Sequence, residues 1–375
     1  MKKDIHGGNI WEASVKGSSS PDSILDFSAS INPLGLSPKA QEAIVNALSL
    51  IPPYPDPESK AITQAISRYY GLNDENLAVG NGSTEFIYLI PHVFKPKKAL
   101  IIEPAFSEYA KALRLGGCRV ERFTLSPKDS FSLDIDKLKK KLKSGSYNLL
   151  YIANPANPSG SVIKKEALIE LSKYCASVGT IVVIDEAFAD FYGDESIIKE
   201  AQTLKNVIVL RSLTKFFSMA GLRLGFTISN KRIIERFKKA LPPWSVNTLA
   251  AFAGAQALGD NLYIEKTMEW LKDEREFLFS ALSSIRDFQV FPSFVNYFLV
   301  KITSGHLSSP ELKARLFKKG ILIRELSAFK GLGPEFFRVA VKSRKDNEEL
   351  IAAFKAVFVS HPVALKHQGS VRISN

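Results

Sequence analysis

Lys215 follows an apolar run. Val207 to Leu210 reads as a buried strand, and it leads into Ser212, Leu213, Thr214 and Lys215, with Arg223 eight residues beyond. A lysine amine can hold a carbonyl carbon, and hydroxyls with a guanidinium can hold an anion. Three other short apolar runs also end in residues capable of chemistry. Leu149 to Ile152 leads into the stretch ANPANPSG, which contains Asn157. Ile181 to Ile184 ends in Asp185 and Glu186, and Leu77 to Val79 ends in Gly80-Asn81-Gly82, followed by Ser83 and Thr84 at the start of a helical pattern.

Each feature alone has an ordinary reading. A lysine after a strand is usually on the surface, an aspartate there usually caps something, and Asn-Pro pairs usually make turns. In an open α/β sheet, however, ligands bind at the carboxyl ends of the strands, so these residues converge on one rim. Jointly they fit pyridoxal phosphate. That cofactor needs a lysine for its aldehyde, a carboxylate for its ring nitrogen, a donor for its ring oxygen and a cradle for its phosphate. A glycine-rich turn opening a helix supplies such a cradle, because free N–H groups and the helix dipole both favour an anion.

The elements that must position these residues alternate. Helical patterns over Ala43–Leu50 and Ala61–Tyr70 precede the first strand. Further β-rich runs are Ala99–Ile102, Arg119–Phe123 and Leu224–Ile228, with helical patterns between most of them. This alternation predicts an α/β fold with a mostly parallel central sheet and helices on both faces. After Pro242-Pro243 the texture changes. A long helical region is expected over 249–284, then strands at Phe288–Phe291 and Tyr297–Ile302, a helix near Pro310–Lys319, strands at Ile321–Ile323 and Phe336–Val341, and a last helix from about Asp346. This predicts a smaller α+β C-terminal domain. The expected division is an N-terminal arm over 1–45 packing with the small domain, a large cofactor domain over 46–243, a small domain over 244–358 and a tail over 359–375.

The 375 residues, 45% hydrophobic and 23% charged, are ample for a large core. The net charge of +12 is spread out. Its densest run, KLKKKLK, has Leu138 and Leu142 at i, i+4 and reads as a helix with a solvated basic face. Nucleic-acid binding is not expected, since no basic stripe is interleaved with aromatics. No run is long enough to span a bilayer, the start MKKDIHGGNIWEA has no apolar leader segment, and Cys118 and Cys175 sit in apolar-periodic segments. A reduced, cytoplasmic protein without a metal is expected.

The motif S-L-T-K-x5-G-L-R-x-G, Ser212 to Gly225, resembles the lysine signature of the histidinol-phosphate-like, class II subgroup of the fold-type I pyridoxal-phosphate enzymes. N-P-x-N-P-S-G and D-E-A-F match in order and spacing. Other segments resemble the threonine-phosphate decarboxylase branch of cobalamin biosynthesis: HGGNIWEA from His6, LDFSASINPLG from Leu25, YPDPE from Tyr54, PAFSEYAKAL from Pro104, PWSVN from Pro243, and the ILIR and FFRVAV strands. The resemblance implies that Lys215 joins the cofactor aldehyde, Asp185 pairs with the ring nitrogen, Asn157 bonds the ring oxygen and Tyr109 stacks on the ring. It implies that Ser83, Thr84, Ser212, Thr214 and Arg223 hold the cofactor phosphate. Tyr54 would reach that phosphate from a partner subunit, which implies a homodimer with shared sites. His6, Gly7, Ser30, Asn32, Asn157, Arg324 and Arg338 would hold the substrate.

Decarboxylation and transamination begin alike, and the bond perpendicular to the ring is the one broken. A decarboxylase must turn the substrate carboxylate out of the ring plane, so other groups must anchor the substrate. Arg338 matches the carboxylate arginine of the wider family, and Arg324 matches a substrate-phosphate arginine. Many aminotransferases of the group carry Tyr where Phe188 stands. The branch pattern S-A-N-I-N is here Ser28-Ala29-Ser30-Ile31-Asn32, which leaves O-phosphothreonine and O-phosphoserine both open as substrates. The alternatives are an aminotransferase of the histidinol-phosphate type and a non-catalytic sensor of pyridoxal phosphate.

Overall fold

A computed structural model describes residues 7–17 and 20–359. His6 and nearly all of the expected tail lie outside the described residues.

Seven strands form the main sheet: β2 (Leu77–Asn81), β3 (Lys98–Glu103), β4 (Arg119–Thr124), β5 (Leu149–Ala153), β6 (Ile181–Asp185), β7 (Val207–Ser212) and β8 (Leu224–Ile228). Their order is β2-β8-β7-β6-β5-β3-β4, and every neighbouring pair is parallel except the two that involve β8. β6, the central strand, is nearly all apolar and buried, as a strand covered on both faces requires. The reversal of β8 matters for the site. Its first residues lie on the rim where the other six strands end, with Gly225 opposite both Gly80 and Ser212.

The remaining strands are β1 (Leu25–Asp26), β9 (Phe288–Val290), β10 (Tyr297–Ile302), β11 (Ile321–Leu322), β12 (Arg324–Glu325) and β13 (Phe336–Ala340). Four of them make an antiparallel sheet in the order β12-β13-β10-β9, and β1 pairs in parallel with β11. The helices are α1 (Ile10–Gly17), α2 (Pro38–Ala47), α3 (Lys60–Tyr70), α4 (Ser83–Phe94), α5 (Ser107–Leu115), α6 (Ile135–Gly145), α7 (Lys165–Ser177), α8 (Lys231–Ala240), α9 (Thr248–Leu258), α10 (Asn261–Ser283), α11 (Ser309–Phe317) and α12 (Arg344–Val359). The basic run lies on α6, with Leu138 and Leu142 buried and Lys139 and Lys141 paired to Glu170 and Glu121.

The long helical region expected over 249–284 is made of two helices, α9 and α10. The chain breaks at Gly259-Asp260, and the Asp260 side chain caps α10 by accepting the Tyr263 N–H. Nor do the cores divide at 243/244. Ala250, Ala253 and Ala257 of α9 and Leu271 of α10 belong to the cluster on the main sheet, Trp270 packs against both clusters, and the buried residues that α10 gives the second cluster begin at Leu278. The N-terminal arm is shared in the same way. Leu25 to Phe27 joins the small sheet, whereas Ala40 of α2 packs in the large core.

Cys118 and Cys175 are buried and unpaired, and burial pushes the Cys175 thiol up to about 12. Among the described residues no helix is long and apolar enough to cross a membrane, and no group of side chains could hold a metal ion.

Candidate active site

A cavity of about 520 Å³ opens on the carboxyl rim of the main sheet, beneath β12 and β13. Lys215 lies in its wall. Its Nζ is 3.2 Å from Ser212 Oγ, which in turn is 2.7 Å from Thr214 Oγ1. The Phe188 ring centre is 5.4 Å from the same nitrogen. Burial lowers the amine to about 8, helped by Arg223 and Arg338 and opposed by Asp185. A share of Lys215 is therefore neutral and nucleophilic near neutral pH.

The anion cradle is built by backbone. Gly82, at φ +78°, turns the chain from β2 into α4, so the free N–H groups of Ser83 and Thr84 open that helix. Arg223 immediately precedes β8 in a left-handed conformation, φ +59°, unusual for a residue with a side chain. That conformation places it over the turn: a Cβ at Gly82 would sit 2.8 Å from Arg223 Nη2. Gly225 is equally constrained, since a Cβ there would come within 2.3 Å of the Ser83 nitrogen. A glycine-lined turn, a helix start, hydroxyls and one exposed arginine match a phosphate ester in size and charge.

Asp185 stands at the end of β6. Its Oδ1 accepts the Ala187 N–H at 2.9 Å, and its Oδ2 accepts the Tyr109 hydroxyl at 2.6 Å. Tyr109, expected to stack on a cofactor ring, lines the cavity beside Phe106. Tyr109 is 2% exposed, its ring lies parallel to Tyr151 at 4.8 Å, and its hydroxyl is directed at the carboxylate. Phe106 is the partly buried ring in the cavity wall. It follows Pro104-Ala105 at the end of β3, on the same rim, and sequence reasoning overlooked it.

Arg324 and Arg338 enter from the small sheet, both 7% exposed and both in the cavity wall. Arg338 donates from Nη1 to Asn157 Oδ1 at 2.6 Å and from Nη2 to the Ser28 carbonyl at 3.1 Å, and its guanidinium lies 4.7 Å from the Tyr297 ring centre. Burial pushes it down to about 10, opposed by Tyr297 and Asp26 and helped by Arg324. Asn157 accepts from Arg338 through its oxygen, which leaves the Nδ2 hydrogens to donate. Asn157 also lines the cavity.

The N-terminal substrate residues are divided. Gly7 lines the cavity and packs so closely that a Cβ there would lie 2.3 Å from the Ser28 carbonyl oxygen. The Gly8 N–H donates to Ser28 Oγ at 2.8 Å. Ser30 lines the wall, but its buried hydroxyl has no hydrogen-bond partner among the described residues. Asn32 does not reach the cavity, contrary to expectation. Its Nδ2 is within 2.9 Å of the Phe216 carbonyl, Tyr263 Oη and Thr267 Oγ1, so its polar capacity is spent on fastening the loop to the Lys215 segment. The Asn32 N–H also donates to the Lys215 carbonyl at 3.1 Å. Tyr54 is 79% exposed, stacks on Trp244 at 4.5 Å and takes no part in lining this cavity within one chain.

The model of the aminotransferase class I and II family matches residues 22–354. The threonine-phosphate decarboxylase of Salmonella typhimurium is 36% identical over 354 residues, covering 94% of this chain and 96% of its own. The adenosylcobalamin biosynthesis bifunctional protein CobDQ of Leptospira interrogans is 33% identical over 98% of this chain, which spans 42% of that protein. Among solved structures, the histidinol-phosphate aminotransferase of Clostridium acetobutylicum superposes with a TM-score of 0.83 at 31% identity, covering 89% of this chain and 99% of that one.

Proposed function

This chain belongs to the aminotransferase class I and II family, a family of pyridoxal-phosphate enzymes, and from that premise we propose that it decarboxylates an O-phospho-amino acid. The substrate in this reading is O-phospho-L-threonine, giving aminopropanol phosphate for the nucleotide loop of a cobamide, with O-phospho-L-serine and ethanolamine phosphate as the smaller variant. One observation carries it: two buried guanidiniums, Arg324 and Arg338, stand opposite each other over the cavity that holds Lys215. A substrate bearing both a phosphate and a carboxylate matches two such cations. The similarity to the Salmonella decarboxylase and to CobDQ supports the same reading.

Pyridoxal phosphate, when bound, supplies an aldehyde that condenses with amines and a ring that takes up the electron pair left at the substrate α-carbon. The residues divide the remaining work. Ser83, Thr84, Ser212, Thr214 and Arg223 hold its phosphate, Asp185 keeps its ring nitrogen protonated, and Asn157 donates to its ring oxygen. Tyr109 orients Asp185 through its hydroxyl and, with Phe106, would cover the ring. Arg324 takes the substrate phosphate, and Arg338, beside Asn157, orients the carboxylate. Lys215 would hold the cofactor aldehyde and, as the nearest amine in the cavity wall, would carry the proton that the substrate α-carbon needs once carbon dioxide has left. Phe188 offers no hydroxyl beside the lysine, so no second acid competes there.

The working form in this reading is a homodimer in which Tyr54 crosses to the partner's cofactor phosphate. Its support is a run of exposed apolar side chains, Val45, Leu48, Ile51, Tyr54, Trp244 and Phe252. The second reading is an aminotransferase of the histidinol-phosphate type, favoured by the likeness to the Clostridium acetobutylicum structure. Threonine, O-phosphothreonine and O-phosphoserine offered to wild type and Arg324→Ala test the anchoring. Arg324→Ala is expected to lose the preference for the phosphorylated substrates. A variant that ranks the three as wild type does would remove the phosphate from Arg324.

A further inference from the structure

Beneath the cavity lies a buried ionic cluster that the reaction does not touch. Arg211, one residue before Ser212 on β7, is 2% exposed. Its Nη1 is 3.1 Å from Glu186 Oε2, and its Nη2 donates to Asp190 Oδ1. Tyr70 adds its hydroxyl to Asp190 at 2.8 Å and lies under the guanidinium at 4.9 Å. Glu186 is also held by the Ser196 hydroxyl and by the Ile197 N–H at 3.0 Å. Burial works against the Arg211 charge, and Asp190, Tyr70 and Glu186 more than offset it, so the cation persists.

Buried ion pairs are poor devices for stability, because well-packed apolar side chains of similar volume serve as well or better. They do fix geometry. Glu186 and Asp190 flank Phe188, two residues to either side, so Arg211 grips this loop at both of its ends. Phe188 lies against the Lys215 amine on one side and packs edge-on against Tyr297 at 5.0 Å on the other. Tyr297 in turn lies under Arg338, and its hydroxyl donates to the Ala156 carbonyl at 2.8 Å. One ring thus touches both the amine and the support of the substrate arginine.

We infer that Arg211 is a positioning residue: by holding Glu186 and Asp190 it fixes the Phe188 ring, and through that ring the placement of Lys215 and Tyr297. The inference rests on the reading of Lys215 as the cofactor lysine.

The test uses cofactor-loaded Arg211→Lys and Asp190→Ala. Four quantities are read: the melting temperature, kcat and KM, the pH midpoint of the cofactor's visible absorption, and the borohydride-stable adduct on Lys215. The charged groups that face the Lys215 nitrogen are Asp185 and Asp190, which favour its charged form in the free amine, and Arg223 and Arg338, which disfavour it, and the same groups surround that nitrogen in the loaded enzyme. Removing the Asp190 carboxylate lowers the midpoint if only its charge matters. Loosening Phe188 admits water to the amine and raises it. The expected result is a kcat loss on the order of tenfold to a hundredfold with KM little changed, and a midpoint that rises in Asp190→Ala. Should Arg211→Lys not fold, Asp190→Ala decides alone. A lower melting temperature with unchanged kcat and midpoint overturns the inference, and so does a midpoint that falls. Absence of the Lys215 adduct in wild type overturns the functional reading itself. An adduct present in wild type with an unmoved midpoint in Asp190→Ala overturns only the role of Arg211.

Discussion

Arg324 and Arg338 are direct cross-strand partners in the antiparallel pair β12–β13, two buried guanidiniums with like charges opposed. Such a pair is unfavourable by itself and becomes favourable when an anion lies between. Arg324 also disfavours the charge on Arg338. Inorganic phosphate is therefore expected to raise the melting temperature of the wild type. At a hundredfold excess over its dissociation constant the stabilisation is about 2.7 kcal/mol. Arg324→Ala should respond much less. An equal response from both proteins would mean the anion binds elsewhere.

Lys215 gives a stability prediction with a definite sign. Its folded value, about 8, lies below the ordinary 10.5, so between these values the unfolded chain binds more protons than the folded one. Stability from this group is thus withheld below pH 8 and recovered as pH rises toward 10.5. Lys215→Met in the cofactor-free protein should be the more stable below pH 8, by at most about 3 kcal/mol. The difference should shrink as pH rises from 8 to 10. Paired thermal melts measure it, and a gap that does not change with pH would place the amine in water.

The cradle predicts a selective loss. In Gly82→Ala the new methyl meets the far end of the Arg223 side chain, and the φ of +78° strains a residue with a side chain, so the turn itself shifts. Affinity for pyridoxal phosphate should fall on the order of tenfold, as the loss of one charge-assisted bond implies, while affinity for pyridoxal stays the same. Equilibrium dialysis with the two ligands separates the outcomes. A parallel fall in both would mean general damage.

Tyr109→Phe removes the donor to Asp185. A hydrogen bond to a charged group contributes about 1.5–3 kcal/mol, so cofactor affinity should fall by roughly one to two orders of magnitude, with secondary structure by circular dichroism retained. Phe106→Leu should also weaken the cofactor. If Phe106→Leu has no effect, another ring covers the cofactor.

Much of this was legible in the sequence, for a physical reason. Asp185, Asn157, Lys215 and the Gly82 turn follow short apolar runs, and a parallel sheet brings such ends together. The direction of β8 was not legible, because Leu224 to Ile228 is apolar whichever way it runs. Yet that direction is what brings Arg223 to the rim. The break at Gly259-Asp260 was hidden by apolar periodicity on both sides. Tyr109 and Phe106 are three residues apart in one segment, and only the fold shows that both rings line the cavity, Tyr109 with Tyr151 stacked against it. Asn32 looked like a substrate ligand because its segment, LDFSASINPLG, resembles the decarboxylase branch. A polar residue whose partners lie more than 180 positions away cannot be assigned from the sequence alone.

The shared-site dimer predicts complementation. Tyr54→Ala and Lys215→Ala, each impaired alone, should regain activity when unfolded together and refolded as a mixture, since one site of the mixed dimer is intact. A mixture no better than its parents would return Tyr54 to its own chain.

The most direct measurement of the central claim is product analysis on the holoenzyme. O-phospho-L-threonine is supplied without any keto-acid acceptor, and carbon dioxide, aminopropanol phosphate and keto acid are each quantified over many turnovers. The account predicts carbon dioxide and aminopropanol phosphate in equal amounts, continuing with the cofactor unchanged. Keto acid formed to the extent of one equivalent of cofactor, with no carbon dioxide and turnover restored only by an added acceptor, would contradict it and identify an aminotransferase.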